Sequence, residues 1–498
     1  MINLDHVSYR YPEQPKGCLD NLSLKISAGE AVCIMGPNGC GKSTLARLIA
    51  GLVAPLSGTV QVERPVPGKK ASLPIGLLFQ DPDNQMVAAL VDKEIAFALE
   101  NLAVSVAEMK EIVTQELDRF GITSLKKRLT TELSGGEKQR VALASLMVAN
   151  PHVLILDEPD SYLDEAGRRM LTAELRRLHD EHPDLIEVRI TQYPQVARSY
   201  RRLIVLFQGK VVADGDPSEI LDNDASCADW GLSLKPTGKT QFQIPEIKAG
   251  ASGSNSYARL VLQEISFGYL DASILDNVQL TLERGRTVCA VGPSGSGKST
   301  LGLLVCGLLH QKVGTASLVA LAGGTVALSE GDGAIAGLFQ QPERQFFLPT
   351  CREEIAFGPA NRGRHLDTPD IAALLAAVGL EPTEFLDRDP FTLSMGEKRR
   401  LAFAVVLGLS PEFVVFDEPT CALDPSGVSG FIAMSQLLKD KRVGQFIISH
   451  DPDVVAALAD QVLYLPGDGS AHVLSPDAWF GSNSYRDVMP RPSAGISR

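Results

Sequence analysis

A chain of 498 residues, 44% hydrophobic and 21% charged, is long and apolar enough to build two or more packed cores. Its formal net charge of −13 argues against sequence-independent nucleic-acid binding, which draws on clustered Lys and Arg. No apolar run approaches the roughly 18–20 residues that span a bilayer, Met1-Ile2-Asn3-Leu4 opens without a leader-like pattern, and the eight cysteines lack C-x-x-C spacing, so the sequence reads as cytosolic with reduced thiols.

In chain order, a strand-like start ends at Tyr11, whose aromatic face suits either purine stacking or strand core. The apolar run Ala31-Val32-Cys33-Ile34-Met35 predicts a buried parallel strand feeding the loop Gly36-Pro37-Asn38-Gly39-Cys40-Gly41-Lys42-Ser43-Thr44. That loop fits G-x-x-x-x-G-K-[ST], in which backbone N–H groups cradle phosphates, the lysine reaches the outer phosphates and the hydroxyl meets Mg²⁺. Cys40 within it is either a tolerated small residue or a redox sensor. Leu45, Leu48, Ile49 and Leu52 continue as the apolar stripe of a helix. Further on, Leu78-Phe79-Gln80 ends a strand in a polar turn, and Ser134-Gly135-Gly136-Glu137 is a capping box that opens a helix. The strand Val153-Leu154-Ile155-Leu156 ends in Asp157-Glu158, carboxylates suited to a hard cation beside phosphate.

The same order then repeats. Tyr269 precedes Thr287-Val288-Cys289-Ala290-Val291, which feeds Gly292-Pro293-Ser294-Gly295-Ser296-Gly297-Lys298-Ser299-Thr300 and a stripe of Leu301, Leu304, Val305 and Leu308. Gln340, the capping box Ser394-Met395-Gly396-Glu397 and the pair Asp417-Glu418 follow at matching spacing. Two homologous domains are expected at residues 1–225 and 257–480, joined by a flexible linker at 226–256 and followed by a loose polar tail at 481–498.

These ordered sets make the chain resemble two fused nucleotide-binding domains of ABC transporters: a Walker A loop, a Q-loop glutamine, a signature helix, Walker B and a D-loop (Ser161-Tyr162-Leu163-Asp164; Cys421-Ala422-Leu423-Asp424) in each half. The resemblance implies an α/β fold of two tandem P-loop ABC-type domains, each with a RecA-like core, an antiparallel β subdomain and a helical signature subdomain. It implies ATP and Mg²⁺ as cofactors. Lys42 and Lys298 would bind the outer phosphates, Ser43, Gln80, Asp157 and Ser299, Gln340, Asp417 would serve the metal, and Glu158 and Glu418 would position or deprotonate the attacking water. The segments after the Q-loop glutamines, ending in Glu94-Ile95-Ala96-Phe97 and Glu354-Ile355-Ala356-Phe357, resemble ATPases of energy-coupling-factor importers of vitamins and metal ions. Implied partners are a transmembrane coupling subunit and a substrate-binding membrane subunit at the cytoplasmic face of the membrane, with no nucleic acid. The acids Asp81, Asp83, Asp92, Glu94, Glu343, Glu353 and Glu354 are expected either to receive arginines from that partner or to be solvated.

The resemblance also implies that the two halves pair within one chain, each ATP lying between one Walker A and the other half's signature helix. A linker of about thirty residues, with a reach of roughly 30 Å, favours that pairing. Members of the family carry a histidine beyond Walker B; His450 fills the position in the second half, Gln192 in the first. Met395 replaces the glycine seen at Gly135, and cross-pairing puts both departures in one composite site, unless the two positions drifted independently. The expected function is ATP hydrolysis driving import. A soluble twin-cassette ATPase acting on ribosomes or nucleic acid is disfavoured by the acidic balance and the lack of a charged helical linker. The fused ATPase of a sugar importer is disfavoured because both lysines and both acidic pairs persist.

Overall fold

The computed structural model describes residues 1–11, 17–63, 74–80, 82, 85–160, 163, 165–232, 257–269, 272–330, 333–340, 342–421 and 423–489. The chain divides into two compact units, Met1–Lys235 with Asp424–Ser426, and the remainder.

In the first unit the strands are β1 (Ile2–Tyr9), β2 (Leu19–Ile26), β3 (Ala31–Met35), β4 (Ser57–Val62), β5 (Ile75–Leu78), β6 (Val153–Asp157), β7 (Ile186–Ile190), β8 (Leu203–Phe207) and β9 (Lys210–Gly215). The helices are α1 (Lys42–Ile49), α2 (Val91–Asn101), α3 (Val106–Arg119), α4 (Gly135–Met147), α5 (Glu165–Glu181), α6 (Pro194–Ala197), α7 (Pro217–Leu221) and α8 (Asp224–Asp229). Strands β2-β1-β4 form an antiparallel sheet, and β5-β6-β7-β3-β8-β9 form a larger sheet that is parallel except at β9. Strands β6 and β7 are buried along their whole length and β3 at every residue after Ala31, as the apolar run at Ala31–Met35 predicts. Helix α1 packs between the two sheets, with Leu45, Leu48 and Ile49 in one cluster with Ile2, Leu24, Ile34 and Ile155. Helices α2, α3 and α4 gather around a separate core containing Ile95, Leu117 and Val141.

The second unit repeats this plan with β10 (Tyr257–Tyr269), β11 (Ala272–Glu283), β12 (Thr287–Val291), β13 (Val313–Ala320), β14 (Thr325–Ala327), β15 (Ile335–Leu338), β16 (Phe413–Asp417), β17 (Gly444–Ile448), β18 (Gln461–Tyr464) and β19 (His472–Leu474). Its helices are α9 (Lys298–Val305), α10 (Cys351–Asn361), α11 (Thr368–Ala377), α12 (Pro382–Phe385), α13 (Met395–Leu409), α14 (Pro425–Asp440), α15 (Pro452–Leu458), α16 (Pro476–Phe480) and α17 (Asn483–Val488). The order β15-β16-β17-β12-β18-β19 matches that of the first unit's larger sheet, with a parallel core and an antiparallel last strand, while β11-β10-β13 repeats β2-β1-β4 and adds a fourth strand, β14. Each unit is therefore a P-loop α/β core with an antiparallel β layer and a helical subdomain.

Three expectations need correction. The apolar stripe was expected to run through Leu52 and Leu308, yet α1 and α9 end earlier and both leucines are exposed. Gly51 (φ 75°) and Gly307 (φ 70°) adopt the left-handed geometry that closes a helix, which carries the chain off the buried face. Residues 226–232, expected as linker, are folded: α8 runs through 229, and Cys227 and Leu232 are buried in one cluster with Cys33, Met35 and Leu203; the rest of the expected linker, 233–256, lies outside the described residues. The tail expected from 481 is folded at its start, where α17 buries Tyr485 and Val488 and sets Tyr485 edge-on against Trp479; residues 490–498 lie outside the described residues.

Candidate nucleotide-binding sites

The loop between β3 and α1 needs glycine where it turns. Gly36 has φ 155°, and a Cβ there would lie 2.2 Å from the Leu206 carbonyl oxygen. Gly292 repeats this with φ 154° and 2.1 Å to Leu465. Such contacts exclude any side chain. Gly41 (φ 107°) and Gly297 (φ 92°) then cap α1 and α9, so the helix N-termini open onto the loops as anion sites. Lys42 donates to the carbonyls of Gly36 (2.8 Å) and Pro37 (2.9 Å), and Lys298 to those of Gly292 (2.9 Å) and Pro293 (2.8 Å). Both ammonium groups are buried and folded across their own loops. Cys40 is buried too, and desolvation pushes its thiol above the usual value against the pull of Lys42, which suits a tolerated small residue and disfavours a reactive thiol.

The acids at the ends of β6 and β16 lie against these loops. Asp157 and Asp417 are hydrogen-bonded to Ser43 and Ser299, and burial raises both carboxyls above the ordinary range. The Oδ1 atom of each is buried without a hydrogen-bond partner. A buried carboxylate oxygen left open beside a serine hydroxyl suits a hard cation with oxygen ligands, so the residues fit Mg²⁺. Glu158 and Glu418 both have φ 49°, a left-handed geometry costly for a side-chain-bearing residue, and each N–H is tied across the sheet to Ile190 (3.1 Å) or Ile448 (2.9 Å).

Around those glutamates the units differ. In the first, Gln80 Nε2 donates to Glu158 Oε2 (2.8 Å), and Gln192 Nε2 donates to Glu158 Oε1 (2.6 Å) and Asn38 Oδ1 (3.0 Å). In the second, His450 Nε2 stands 3.5 Å from Glu418 Oε1, and the backbone N–H of His450 donates to Glu418 Oε2 at 3.4 Å. Gln340 is held through its carbonyl, which accepts from Arg399 Nη2 at 2.9 Å.

Both capping boxes are present. Ser134 and Glu137 open α4 and Ser394 and Glu397 open α13, each serine N–H donating to its glutamate at 2.8 Å. Gly135 and Met395 are the first residues of these helices. Tyr11 follows β1, and its hydroxyl accepts from Arg47 (2.9 Å) and Thr44 (3.4 Å); Tyr269 ends β10, exposed and edge-on to Phe267. Within the loops, Gly39 and Gly295 have φ 78° and 81° with open space around them. Asp81, Asp83, Ser161, Tyr162, Asp164 and Ala422 lie outside the described residues.

The expectation that Glu94 and Glu354 meet arginines of a partner fails on burial. They are 2% and 4% exposed. Glu94 accepts from the N–H groups of Val87 (2.9 Å) and Ala88 (2.6 Å), and Glu354 from those of Phe347 and Leu348. Each stitches the turn after the Q-loop to its helix. Sequence reasoning also missed Arg399, buried in α13, which donates to the carbonyls of Gln340, Glu418 and Cys421. The matching residue, Gln139, makes one bond, to Pro159 O at 3.3 Å. The Gln-to-Arg exchange between the repeats was the available signal.

The sequence profile described as "ABC transporter" matches residues 19–161 and 275–421. A Bacillus subtilis protein named "Putative HMP/thiamine import ATP-binding protein YkoD" is 30% identical over 97% of this chain and 93% of its own length. A "Putative ABC transporter ATP-binding protein" of Bifidobacterium longum is 30% identical over 93% of this chain, which spans only 65% of that relative's length. A solved structure of CbiO1 from Clostridium perfringens, titled as part of the ABC transporter complex CbiONQ, is 30% identical, covers 47% of this chain and 95% of its own, and has a TM-score of 0.39. The chain belongs to the ABC transporter family. Its two cassettes bind nucleotide and are built for ATP hydrolysis.

Proposed function

We propose that this chain is the ATP-hydrolysing subunit of an importer, working at the cytoplasmic face of the membrane through a separate transmembrane coupling subunit and a substrate-binding membrane subunit. The energy-coupling-factor type, carrying a vitamin or metal ion, is the version we favour. The observation that carries the reading is an exposed apolar pair in the same place on each unit, just past the Q-loop glutamine. Val87 and Phe97 are 68% and 41% exposed, and Phe347 and Phe357 are 60% and 42% exposed with their rings edge-on at 4.9 Å. Large apolar groups held in water beside a nucleotide-sensing loop suit a membrane partner. The buried carboxylates of Glu94 and Glu354 fix the turns that present Val87 and Phe347. The import wording in the Bacillus relative's name points the same way.

Within each unit, the glycine loop and helix N-terminus would hold the triphosphate, with Lys42 or Lys298 swinging from its loop carbonyls to the outer phosphates. Tyr11 and Tyr269 would flank the base. Mg²⁺, when bound, would neutralise charge on the outer phosphates; Ser43, Asp157 and Gln80, or Ser299, Asp417 and Gln340, are the residues to hold it. Glu418, beside an imidazole, is placed to accept a proton from water. Glu158, with both oxygens taken by amides, favours holding ATP over hydrolysing it. Replacing Phe97 and Phe357 by serine should release the membrane partner in co-purification from native membranes while ATP affinity stays the same. Undiminished co-purification would end the import reading.

A further inference from the structure

In each unit one buried arginine grips the turn that follows the acidic pair, and the two arginines come from different elements. In the second unit it is Arg399, near the start of α13 and 4% exposed. Its Nη1 donates to the carbonyls of Glu418 (2.9 Å) and Cys421, the two ends of the turn, and its Nη2 to the carbonyl of Gln340 (2.9 Å). The Cys421 N–H also donates to the Glu418 carbonyl (3.3 Å), so the guanidinium lies across a closed turn. One planar group therefore fixes α13, the Q-loop glutamine and the backbone of the glutamate together. Burial raises the Asp417 carboxyl, and the charge of Arg399 is among those that pull against it, which puts the guanidinium within electrostatic reach of the acid placed for Mg²⁺.

Packing alone does not call for an arginine there. Gln139 fills the matching position of α4, is fully buried, and reaches Pro159 O at 3.3 Å with its own Oε1 left without a partner. A guanidinium taken out of water and given only carbonyl oxygens, with no carboxylate partner among the described residues, costs more desolvation than an amide. Arg399 is thus costlier than the fold needs, and all three of its acceptors lie in the segments that carry Glu418 and Gln340.

The first unit braces its turn from the sheet. A central parallel strand normally carries apolar side chains, yet β7 reads Ile-Glu-Val-Arg-Ile, and both charges are buried. Arg189 donates at 2.6 Å to Oδ1 of Asp160, two residues past Glu158, and Asp160 Oδ2 accepts at 3.4 Å from Oγ1 of Thr191, the residue before Gln192. Glu187 accepts from the Tyr200 hydroxyl and meets His179 at 2.9 Å. The turn after Glu158 is therefore gripped by the strand that pairs with its own. In the second unit, strand register places Gln445 and Ile447 where the first has Glu187 and Arg189, and Thr420 stands in place of Asp160, so this side-chain grip is replaced by that of Arg399.

We propose that Arg399 is a positioning residue for hydrolysis at the second site: it locks the backbones of Gln340 and Glu418 to α13, so that the glutamine and the carboxylate meet the attacking water in one fixed arrangement. The first site, braced from the sheet by Arg189, has the single Gln139 bond in its place. The proposal rests on the reading of Glu418 as the proton acceptor. The test uses the full chain as a Glu158→Gln variant, so that turnover comes from the second site. Adding Arg399→Gln, the first unit's residue at this place, should lower kcat by roughly tenfold or more. KM for ATP should stay within about twofold and the stoichiometry of ATP binding should stay that of the parent, because the loss is felt in the transition state. Arg399→Lys keeps the charge on a single ammonium that cannot span three carbonyls, so it should lose kcat as well, and it decides the matter if the glutamine variant fails to bind ATP. Gln340→Ala acts through a group that Arg399 holds, so combining it with Arg399→Gln should cost less than the product of the two single losses. Full turnover in Arg399→Lys, a rise in KM that accounts for the loss, or losses that multiply overturns the proposal. Turnover that survives Glu418→Gln overturns the reading of Glu418 and the proposal with it, whereas turnover lost to Glu418→Gln but kept in Arg399→Gln overturns the proposal alone.

Discussion

Glu158 and Glu418 end equivalent strands with the same φ and the same N–H bond across the sheet, but their neighbours differ. Two neutral amides, Gln80 and Gln192, occupy the oxygens of Glu158 at 2.8 and 2.6 Å, whereas the contacts from His450 to Glu418 are 3.5 and 3.4 Å. The signature helices differ in the opposite sense. Arg399 ties α13 to three carbonyls around the second site, while Gln139 ties α4 to one near the first. A repeat can thus preserve the backbone of a catalytic turn and still separate two sites by a few side chains: one holds its carboxylate closely, the other braces the surrounding frame and leaves the carboxylate beside a titratable imidazole.

The most forceful way to break this comparison is to remove each base in turn. Glu418→Gln keeps shape and removes the proton acceptor, and should lower ATPase turnover by roughly 10²-fold or more, within the usual range for general-base loss. Glu158→Gln should cost only a few-fold. Steady-state turnover, with ATP binding checked in both variants, decides the matter; equal losses would mean that the amides around Glu158 do not matter to chemistry.

Much of the site was legible because its motifs encode backbone geometry. Glycines at φ above 90° and a lysine just inside a helix N-terminus leave a spacing that survives in the sequence. The parallel strands were legible for a similar reason, since burial on both faces demands an apolar run. What was hidden depends on where a side chain points. Glu94 and Glu354 looked like surface acids because a helix's first turn commonly carries exposed acids. Only the fold shows the preceding turn curling back so that each carboxylate accepts two backbone N–H groups. The charges of β7 are a contrary case: their sequence already violated the apolar rule, but their partners Asp160, His179 and Tyr200 are gathered from three other segments.

That correction gives the next effect in size. Removing a buried carboxylate that accepts from two part-buried backbone donors costs about 1–3 kcal/mol, so Glu94→Ala and Glu354→Ala should each lower the denaturation midpoint measurably, and Glu→Gln should recover part of the loss. If either alanine variant unfolds like the parent, the stitch is not structural and the docking role returns. The paired variants also sharpen the comparison, because the same bond is made in both units and the two losses should be similar, unlike those at Glu158 and Glu418.

The smallest expected effect tests the difference at its origin. Gln192 donates to both Glu158 and Asn38, and an amide has no proton to exchange near neutral pH. Histidine at this position would free one oxygen of Glu158 from a 2.6 Å amide bond and place a group with an unperturbed pKa near 6.5 beside it. In a Glu418→Gln background, where residual turnover comes from the first site, Gln192→His should raise activity by roughly threefold, far below the gain expected of a complete general base. The readout that separates chemistry from repacking is the pH profile. A gain due to imidazole should appear as a new dependence between about pH 6 and 8, whereas a gain due only to loosening Glu158 should also be produced by Gln192→Ala and show no such dependence. Equal profiles for the histidine and alanine variants would assign the inequality of the two sites to the grip on Glu158 alone.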